Sequence, residues 1–599
     1  MAQEYVSVRN LRFLLKEVFR IQELQQYAYF EGYDEQAIDL TVDAAKSLAD
    51  QYLFPYYREM DKDKAYYKDG VVHVHPAVGK GMRALGEAGW IAALDLPEYG
   101  GQQMPYSLLN TGLCIFYSAN ANLAAHAFLT QGAANLIRTF GAKELSDTFI
   151  EPMYAGQWQG TMALTEPQAG SSLSDITSTA TPTDDGDYLI KGQKIYISSG
   201  DHNAVENVVH LLLARIDGAP AGTKGISLFV VPKKRLENGE LVDNHVTTAG
   251  IYGKMGQKGY VAAHLMMGEQ GDCHGYLVGQ PHHGLAYMFK MMNEARIGTG
   301  LFATGNASAA YYASLNYALE RPQGRHPSNK DLTQPQVLII EHADVRRMLL
   351  FQKAVVEGSF ALLLQCSYYS DLARVAPSPK KDNAHLLLEL LTPIAKSYPA
   401  EMGILSVSAG MQVLGGAGYT DDFVLEQIYR DIRVNSIYEG TTTIHGLDLL
   451  GRKIMQSSGK AEAMLIEEIQ QTIDAAQQHE LLHPWAESLI ESVGQFQQVT
   501  GHLVQLAVTE TPEIFLADAS LYLEYVGHIV IAWQWLKQAV VAQNALPQAE
   551  GPLADFYRGK VQTCRYFFEY ELPKTCGLRE RLLSSDRVTL DVTPEELAG

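Results

Sequence analysis

Hydrophobic positions in the first 158 residues recur at helical spacing. Residues 11–24, 35–53 and 78–94 place apolar side chains at i, i+3, i+4 and i+7, the spacing of one buried helix face. Pro97 and Gly100–Gly101 interrupt this pattern, and helical spacing then resumes over 108–140. The pattern predicts that the chain is helical up to about residue 158.

The texture changes between about 159 and 275. Short runs rich in Val, Ile, Leu and Tyr replace the helical spacing, and turn-forming segments at Asp184–Asp187 and Asp217–Gly225 separate them. The runs are 187–198, 207–215, 224–232 and 261–268. Such runs are typical of β-strands. We therefore predict an antiparallel β domain of six to eight strands.

Helical patterns return at Leu285 and continue to the end of the chain. The stretch 337–374 predicts one of the longest helices, and Pro484 and Pro547 lie near predicted boundaries in the last part. The predicted fold class is α+β multidomain, with N-terminal helices, a central β domain, a C-terminal helical bundle and an additional helical domain. The predicted segments are 1–40 (N-terminal extension), 41–158, 159–280, 281–453 and 454–599.

Composition restricts the class of partner. The chain has 599 residues, with 47 Lys and Arg against 68 Asp and Glu, which gives a net charge of −21. A nucleic-acid-binding protein needs a basic surface, so we expect no nucleic acid partner. The five cysteines show no C-x-x-C spacing, which favours reduced thiols.

The location follows from the same kind of reasoning. Charges interrupt the apolar residues of the N-terminus, unlike a signal peptide. We expect no membrane span, because the most apolar stretch, around Ile529–Val541, is short and contains polar residues. The sequence therefore predicts a cytoplasmic protein.

The loop Met162–Ser171 is the first candidate for chemistry. It is rich in turn formers and hydroxyls, so its N–H groups and the side chains of Thr165 or Ser171 can face a polar ligand. An ordinary loop before the sheet is the alternative. No G-x-G-x-x-G opens a β-α-β unit, so we expect no Rossmann nucleotide site. His282–His283 favours a surface turn, and no metal site is expected.

Five short motifs together resemble the acyl-CoA dehydrogenase family of flavoenzymes. In chain order they are TEPQAGS (Thr165–Ser171), YISSG (Tyr196–Gly200), ALERPQGR (Ala318–Arg325), QVLGGAGY (Gln412–Tyr419) and IYEGTTT (Ile437–Thr443). The resemblance covers most of residues 40–453. The longer C-terminus is similar to an enlarged bacterial subgroup that includes enzymes for long-chain acyl-CoA and 3-(methylthio)propanoyl-CoA.

The resemblance implies a fold and an activity. The fold is an N-terminal helical domain, a barrel-like β domain and a helical bundle, with the extra helical domain appended. The activity is FAD-dependent oxidation of an acyl-CoA at Cα–Cβ to trans-2-enoyl-CoA, in fatty-acid β-oxidation or related acyl-CoA catabolism. Electrons would leave through electron-transferring flavoprotein, and a homodimer is expected.

Roles for single residues also come from the resemblance. Glu439 is the expected base for the α proton. Residues expected at FAD are Met162, Leu164, Thr165, Gly170, Ser171, Tyr196, Ser198, Arg321, Gln412, Gly415, Gly416, Thr441 and Thr443. Residues expected at the substrate are Ser171, Asn293, Arg296, Tyr438, Glu439 and Gly440. Family members often have Trp and Thr where Tyr196 and Ser198 stand.

Alternatives remain open for several of these residues. Some relatives carry the base immediately before the arginine that matches Arg296, but that position is Ala295 here, which favours Glu439. Arg296 itself is compatible with a structural ion pair. Tyr196 is compatible with the β-domain core, and Arg321 with a favourable cation at a helix C-terminus.

Other functions fit the same motifs. An acyl-CoA oxidase would share the fold and the base but reduce oxygen. A flavin-free acyl-CoA-binding or scaffold protein is an alternative of another class. A nitroalkane oxidase is disfavoured because its base is an aspartate.

Overall fold

The computed structural model describes residues 4–329, 331–456, 458–584 and 586–599, with the backbone alone at 290–292. The chain forms two compact units. One contains residues 36–295, and the other contains residues 1–35 together with 296–599.

The first unit begins with helices. Their bounds are Glu35–Leu48, Tyr57–Lys62, Ala77–Glu87, Tyr106–Phe140 and Lys143–Tyr154. The helix predicted over 78–94 ends at Glu87, because Gly89 adopts a left-handed conformation (φ +76°) that a helix cannot continue. The longest helix, Tyr106–Phe140, has a non-helical residue at Asn120, whose amide donates to the Leu53 carbonyl.

A hairpin interrupts these helices, which the prediction of an all-helical segment missed. It consists of β1 (Tyr66–Lys68) and β2 (Val71–His73), which pair antiparallel. Asp69 and Gly70 form the turn with φ of +51° and +80°. An Asp-Gly turn of this kind is a strong hairpin signal, so the residues did carry the information.

The remaining strands of this unit lie between 158 and 277. They are β3 (Trp158–Ala163), β4 (Thr179–Pro182), β5 (Tyr188–Ser198), β6 (Asn207–Ile216), β7 (Ile226–Pro232), β8 (Lys234–Glu237), β9 (Glu240–Asp243), β10 (Val246–Ile251), β11 (Ala262–Met267) and β12 (His274–Leu277). β8 and β9 form a separate hairpin, and the other eight form one sheet.

This sheet closes on itself. β4 pairs with β5, β5 with β12, β12 with β7, β7 with β6, and β6 again with β4. The C-terminal half of β5 also pairs with β11, and β11 with β10. The predicted barrel-like domain is therefore confirmed, but β3 and β4 pair parallel with β6, so the sheet is not purely antiparallel.

β6 shows how the core is divided. Val209, Leu211 and Leu213 belong to a cluster that includes Ile137 and Met153 of the neighbouring helices. Leu212 and Ala214 point to the other face, into a second cluster within the barrel. Because side chains alternate along a strand, a strand buried on both faces is apolar without a period of two.

The second unit is helical. Its helices are Val8–Arg12, Ala343–Val375, Lys380–Leu414, Leu425–Ile432, Thr442–Asp448, Lys460–Ala476, His483–Thr509, Pro512–Leu516, Ala519–Ala545, Gly551–Tyr566, Thr575–Leu582, Val588–Asp591 and Pro594–Ala598, with most of Gly284–Glu320. The helix predicted from residue 337 begins only at Ala343, because Ile339 donates its backbone N–H to Arg321 and is held in a short turn.

The N-terminal segment packs on the appended C-terminal helices. The rings of Phe13 and Phe556 meet edge to face with centroids 5.4 Å apart. The buried Lys560 ammonium lies 2.8 Å from a Glu357 oxygen and also bonds to Asn10. Residues far apart in sequence thus build one structure at the two ends of the chain.

Two helical segments of the described chain are long and apolar enough to cross a membrane by length and composition. They are Ala343–Val375 and Pro512–Gln548, and only part of the second coincides with the stretch predicted to be the most apolar. The protein itself buries 89% and 61% of their most apolar windows. Core helices of soluble proteins pass the same test, so the finding is weak evidence for a span.

Candidate active site

Glu439 lies in a strained turn. The turn follows a short helical segment at Arg433–Ser436 and precedes the helix Thr442–Asp448. Glu439 has φ +54° and Gly440 has φ +91°. A left-handed conformation costs a residue with a Cβ roughly 1–2 kcal/mol. Gly440 adopts it without that cost, so the strain is concentrated at Glu439, as is common at functional sites.

Two buried side chains hold the carbonyl oxygens of this turn. The Lys396 Nζ donates to the Gly440 oxygen at 2.8 Å, and the His445 Nε2 donates to the Glu439 oxygen at 3.1 Å. Lys396 and His445 are both fully buried. Burial lowers the pKa of His445 to about 3, so this imidazole is neutral and carries its proton on Nε2.

The Glu439 carboxyl group has a raised pKa. Its side chain is exposed to solvent by surface area, yet enough protein surrounds it that desolvation raises the pKa. The cations of Lys396 and Arg296 oppose this rise. A carboxylate that faces a narrow solvent-filled space has both properties. A base that works near neutral pH needs such a shift.

Arg296 forms a buried ion pair. Its NH1 lies 2.7 Å from one Asp448 oxygen, and the other Asp448 oxygen lies 2.7 Å from Arg452. The structure therefore contains the ion pair that the sequence left open as the alternative for Arg296. The Nε of Arg296 is buried without a hydrogen-bond partner among the described residues. Contact with substrate stays a prediction for this residue.

Three further predicted residues lie close to Glu439 in the chain. Tyr438 donates its backbone N–H to Val434, and the Thr441 carbonyl caps the next helix by accepting from His445 N. Thr443 is exposed on the first turn of that helix. Asn293 is half-buried on the helix Gly284–Glu320, in the other compact unit. Its role at the substrate stays a prediction.

The loop with TEPQAGS is anchored by its glutamate, which the sequence analysis did not select. The buried Glu166 carboxylate lies 2.7 Å from Lys194 Nζ and accepts from the backbone N–H groups of Thr177 and Ser178. Burial opposes ionisation, but Lys194 and these donors outweigh it and lower the pKa of Glu166 to about 2. The anchored loop leaves Gly170 and Ser171 exposed.

β5 lies beside this loop and ends in a second strained turn. Ile195 N donates to the Thr165 carbonyl, and Lys194 Nζ donates to the Leu164 carbonyl at 3.1 Å. Met162 is half-buried on β3. These contacts bring the first two motifs together.

Tyr196 lies outside the core of the β domain, so the alternative interpretation of this residue as a core residue is wrong. Its side chain is 59% exposed and lies against Tyr252, with ring centroids 4.3 Å apart. Tyr196 has φ +57° and Ser199 has φ +50°, and the Ser199 hydroxyl bonds the buried His126 Nδ1 at 2.7 Å. The end of β5 presents an aromatic ring and the half-buried Ser198.

The remaining predicted cofactor residues are exposed in the helical unit. Arg321 follows the helix that ends at Glu320, as Pro322 predicted, and its side chain is exposed. Gln412, Gly415 and Gly416 are exposed at the end of the helix Lys380–Leu414. A Cβ built at Gly170, Gly415 or Gly416 would meet nothing within 4 Å, so a ligand has room to approach the backbone there.

Within the described residues, no group of three or more His, Cys, Asp or Glu side chains is placed to hold a metal ion.

Comparisons with known proteins bear on what these residues do. Family models match four successive parts of the chain: Acyl-CoA dehydrogenase, N-terminal domain (35–157), middle domain (161–268) and C-terminal domain (282–455), and Acetyl-CoA dehydrogenase C-terminal like (465–593). The chain belongs to the acyl-CoA dehydrogenase family. This acyl-CoA dehydrogenase is an oxidoreductase of a flavin-dependent family.

Its relatives include enzymes of the same length. It is 33% identical to a 3-methylmercaptopropionyl-CoA dehydrogenase of Ruegeria pomeroyi, covering 94% of this chain and 96% of the relative. It is also 33% identical to the broad-specificity linear acyl-CoA dehydrogenase FadE5 of Mycobacterium tuberculosis, covering 98% of each. The fold matches that of a Bacillus anthracis acyl-CoA dehydrogenase complexed with FAD (TM-score 0.72, 20% identity, 98% and 93% covered).

Proposed function

We propose that this acyl-CoA dehydrogenase oxidises an acyl-CoA thioester at Cα–Cβ to the trans-2-enoyl-CoA. Glu439 takes the α proton onto its carboxylate. A bound FAD would supply the hydride acceptor for the β hydrogen, and electron-transferring flavoprotein would receive the electrons. The observation that carries the proposal is the strained Glu439 turn, with its raised carboxyl pKa and the buried donors behind it.

The residues present fit a flavin. An exposed aromatic ring at Tyr196 suits one face of an isoalloxazine ring, and the Ser198 hydroxyl suits a hydrogen bond to its edge. Glycines with open space at Gly170, Gly415 and Gly416 allow a ligand to approach the backbone. Arg321 can match pyrophosphate oxygens with its planar guanidinium.

Glu439→Gln tests the base. The change keeps the shape of the side chain and removes the proton acceptor. We expect the purified variant to stay yellow and to bind acyl-CoA, yet to lose anaerobic bleaching of the flavin at about 450 nm. The matched control is Glu294→Gln, since Glu294 lies near Arg296 in sequence and hydrogen-bonds Asn135 at 3.3 Å. Bleaching by Glu439→Gln at the wild-type rate would rule out this base.

The same assay addresses the substrate and the acceptor. Relatives are named for a short thioether acyl-CoA and for linear acyl-CoAs of broad range, so the panel should grade chain length and include 3-(methylthio)propanoyl-CoA. Peroxide formation in air at the rate of turnover would identify an oxidase instead. A colourless protein that binds acyl-CoA would identify a flavin-free binding protein.

We also propose a cytoplasmic homodimer. In enlarged members of the family the appended helices cover surface that ordinary members use to pair dimers, which is the basis of this proposal. Light scattering of the holoenzyme tests it, since a dimer has twice the 66.1 kDa mass of one chain.

A further inference from the structure

We infer that Lys396 is a positioning residue for proton abstraction: its ammonium group fixes the strained Glu439–Gly440 turn and sets the electrostatic environment of the Glu439 carboxylate. The inference rests on the proposed role of Glu439 as the base. It adds a residue to the machinery that no motif in the sequence indicated.

Lys396 is one of two side chains that hold the Glu439–Gly440 turn. Two consecutive carbonyl groups of the turn, at Glu439 and Gly440, accept hydrogen bonds from His445 and Lys396. The two donors come from different helices, Thr442–Asp448 and Lys380–Leu414. A strained backbone persists only when its surroundings over-determine it. Lys396 and His445 supply that constraint directly behind the carboxylate.

Burial of the Lys396 ammonium group is costly. Its side chain is fully buried and donates to the Gly440 oxygen, but in the described part of the chain it forms no salt bridge. Burying a cation without a salt bridge is unfavourable, and an apolar side chain of similar volume in such a place is often neutral or stabilising. Stability alone therefore does not account for a lysine at this position.

Several charged groups surround the turn. Arg296 is paired with Asp448, which also contacts Arg452. Glu401 is hydrogen-bonded to the Thr442 hydroxyl. His445 is neutral. Lys396 is thus a cation near Glu439 that forms no salt bridge among the described residues, and the charges of Glu401 and Glu439 both favour its protonated form.

Desolvation and Lys396 act on the Glu439 pKa in opposite directions. Desolvation raises the Glu439 pKa, and Lys396 lowers it again by stabilising the carboxylate. Without Lys396, the pKa of Glu439 rises further and less base is ionised at neutral pH. The turn also loses one of its two donors, so the carboxylate is less well placed against the substrate.

Lys396→Met, Lys396→Arg and His445→Ala separate these effects. The assay is the rate of anaerobic flavin reduction by one acyl-CoA in a single turnover, measured across pH on the holoenzyme. For Lys396→Met we expect a rate roughly ten- to a hundredfold lower at neutral pH and an ascending limb displaced to higher pH. Lys396→Arg should restore the position of the limb. His445→Ala should lower the rate without moving the limb, because His445 is neutral.

Lys537→Met is the matched control. Burial lowers the pKa of Lys537 to about 8, as it does for Lys396, but Lys537 bonds Gln365 between the appended and core helices. We expect this variant to fold and to keep the rate and pH profile of the wild type.

The outcomes distinguish this inference from the proposed function. If Glu439→Gln still bleaches, the proposed function fails. A second outcome overturns only the inference on Lys396. In that outcome Glu439→Gln is inactive, whereas Lys396→Met is folded and yellow and keeps the wild-type rate and pH profile. If Lys396→Met does not fold, the other two variants decide. The inference is contradicted if the ascending limb of the pH–rate profile is displaced in Lys396→Arg, or if the rate is unchanged in His445→Ala.

Discussion

The anchor of the TEPQAGS loop offers a quantitative test of how the fold supports the predicted cofactor residues. Six donor groups converge on the two Glu166 oxygens, three on each. They are the Lys194 ammonium, the backbone N–H and hydroxyl of Ser178, the backbone N–H and hydroxyl of Thr177, and the Gln168 amide. Glu166→Gln is nearly isosteric, but it turns one acceptor into a donor and leaves Lys194 charged and buried.

The free-energy cost of Glu166→Gln follows from two comparisons. Removing one partner of a buried ion pair costs about 3–5 kcal/mol. A pKa lowered from 4.5 to about 2 corresponds to about 3 kcal/mol of stabilisation of the ionised form. Burial also lowers the pKa of Lys194 to about 8, which works against the pair, so the lower end of the range is expected.

Replacing Lys194 should cost less stability than replacing Glu166. Lys194→Met leaves Glu166 with five donors and removes a desolvated cation, so its cost should be smaller, about 1–3 kcal/mol. The double variant should cost less than the sum of the single changes, because the two groups interact directly. The difference in stability between the wild type and Glu166→Gln should be complete above pH 4.5. It should decline as the pH falls toward 2, because the Glu166 carboxylate then becomes protonated.

Native-state hydrogen exchange is the suitable measurement, because it reports local opening free energies in a chain with two compact units. The reporters are the amides of Thr177, Ser178 and Ile195. Lys143→Met is the control, since the Lys143–Asp147 pair is 80% and 58% exposed and solvent screens its attraction. Two results would refute the reasoning. One is that the reporter amides are as protected from exchange in Glu166→Gln as in Lys143→Met. The other is a larger loss of protection in Lys194→Met than in Glu166→Gln.

Three further changes have defined outcomes. Glu439→Gln should raise the thermal unfolding midpoint, and increasingly so from pH 4.5 upward, because ionising Glu439 in the folded state is unfavourable; a gain that does not depend on pH would contradict this. Gly300→Ala should destabilise the chain by about 1–3 kcal/mol, since a Cβ would lie 2.2 Å from the Ala395 oxygen. Gly298→Ala on the same helix has open space and should be neutral or stabilising in the same denaturation assay. Lys560→Met should cost about 3 kcal/mol, the lower end of the range for breaking a buried pair, because buried Glu357 keeps only Lys353, 3.9 Å away, as a cationic partner; exchange of the N-terminal amides measures this.

Local patterns determined much of the architecture. Helical spacing gave the long helices, and runs of β-branched and apolar residues gave the strands, because each pattern records which face of a segment is buried. Five motifs in order indicated the family and placed Glu439, Tyr196 and Arg321 on a turn, at a strand end and at a helix end, where the structure has them. The Asp69–Gly70 hairpin was also encoded locally but was missed within a helical context.

Only the tertiary structure decided which buried polar groups meet. Arg296 pairs with an aspartate 152 positions later, and Lys560 bonds Asn10, 550 positions away. The closure of the barrel through β4, and the reach of Lys396 to the Gly440 carbonyl, likewise depend on how distant segments pack. Periodicity encodes burial, but a lysine in an apolar helix looks the same whether its ammonium meets a carboxylate, a carbonyl or water. The partner is fixed by the three-dimensional path of the chain.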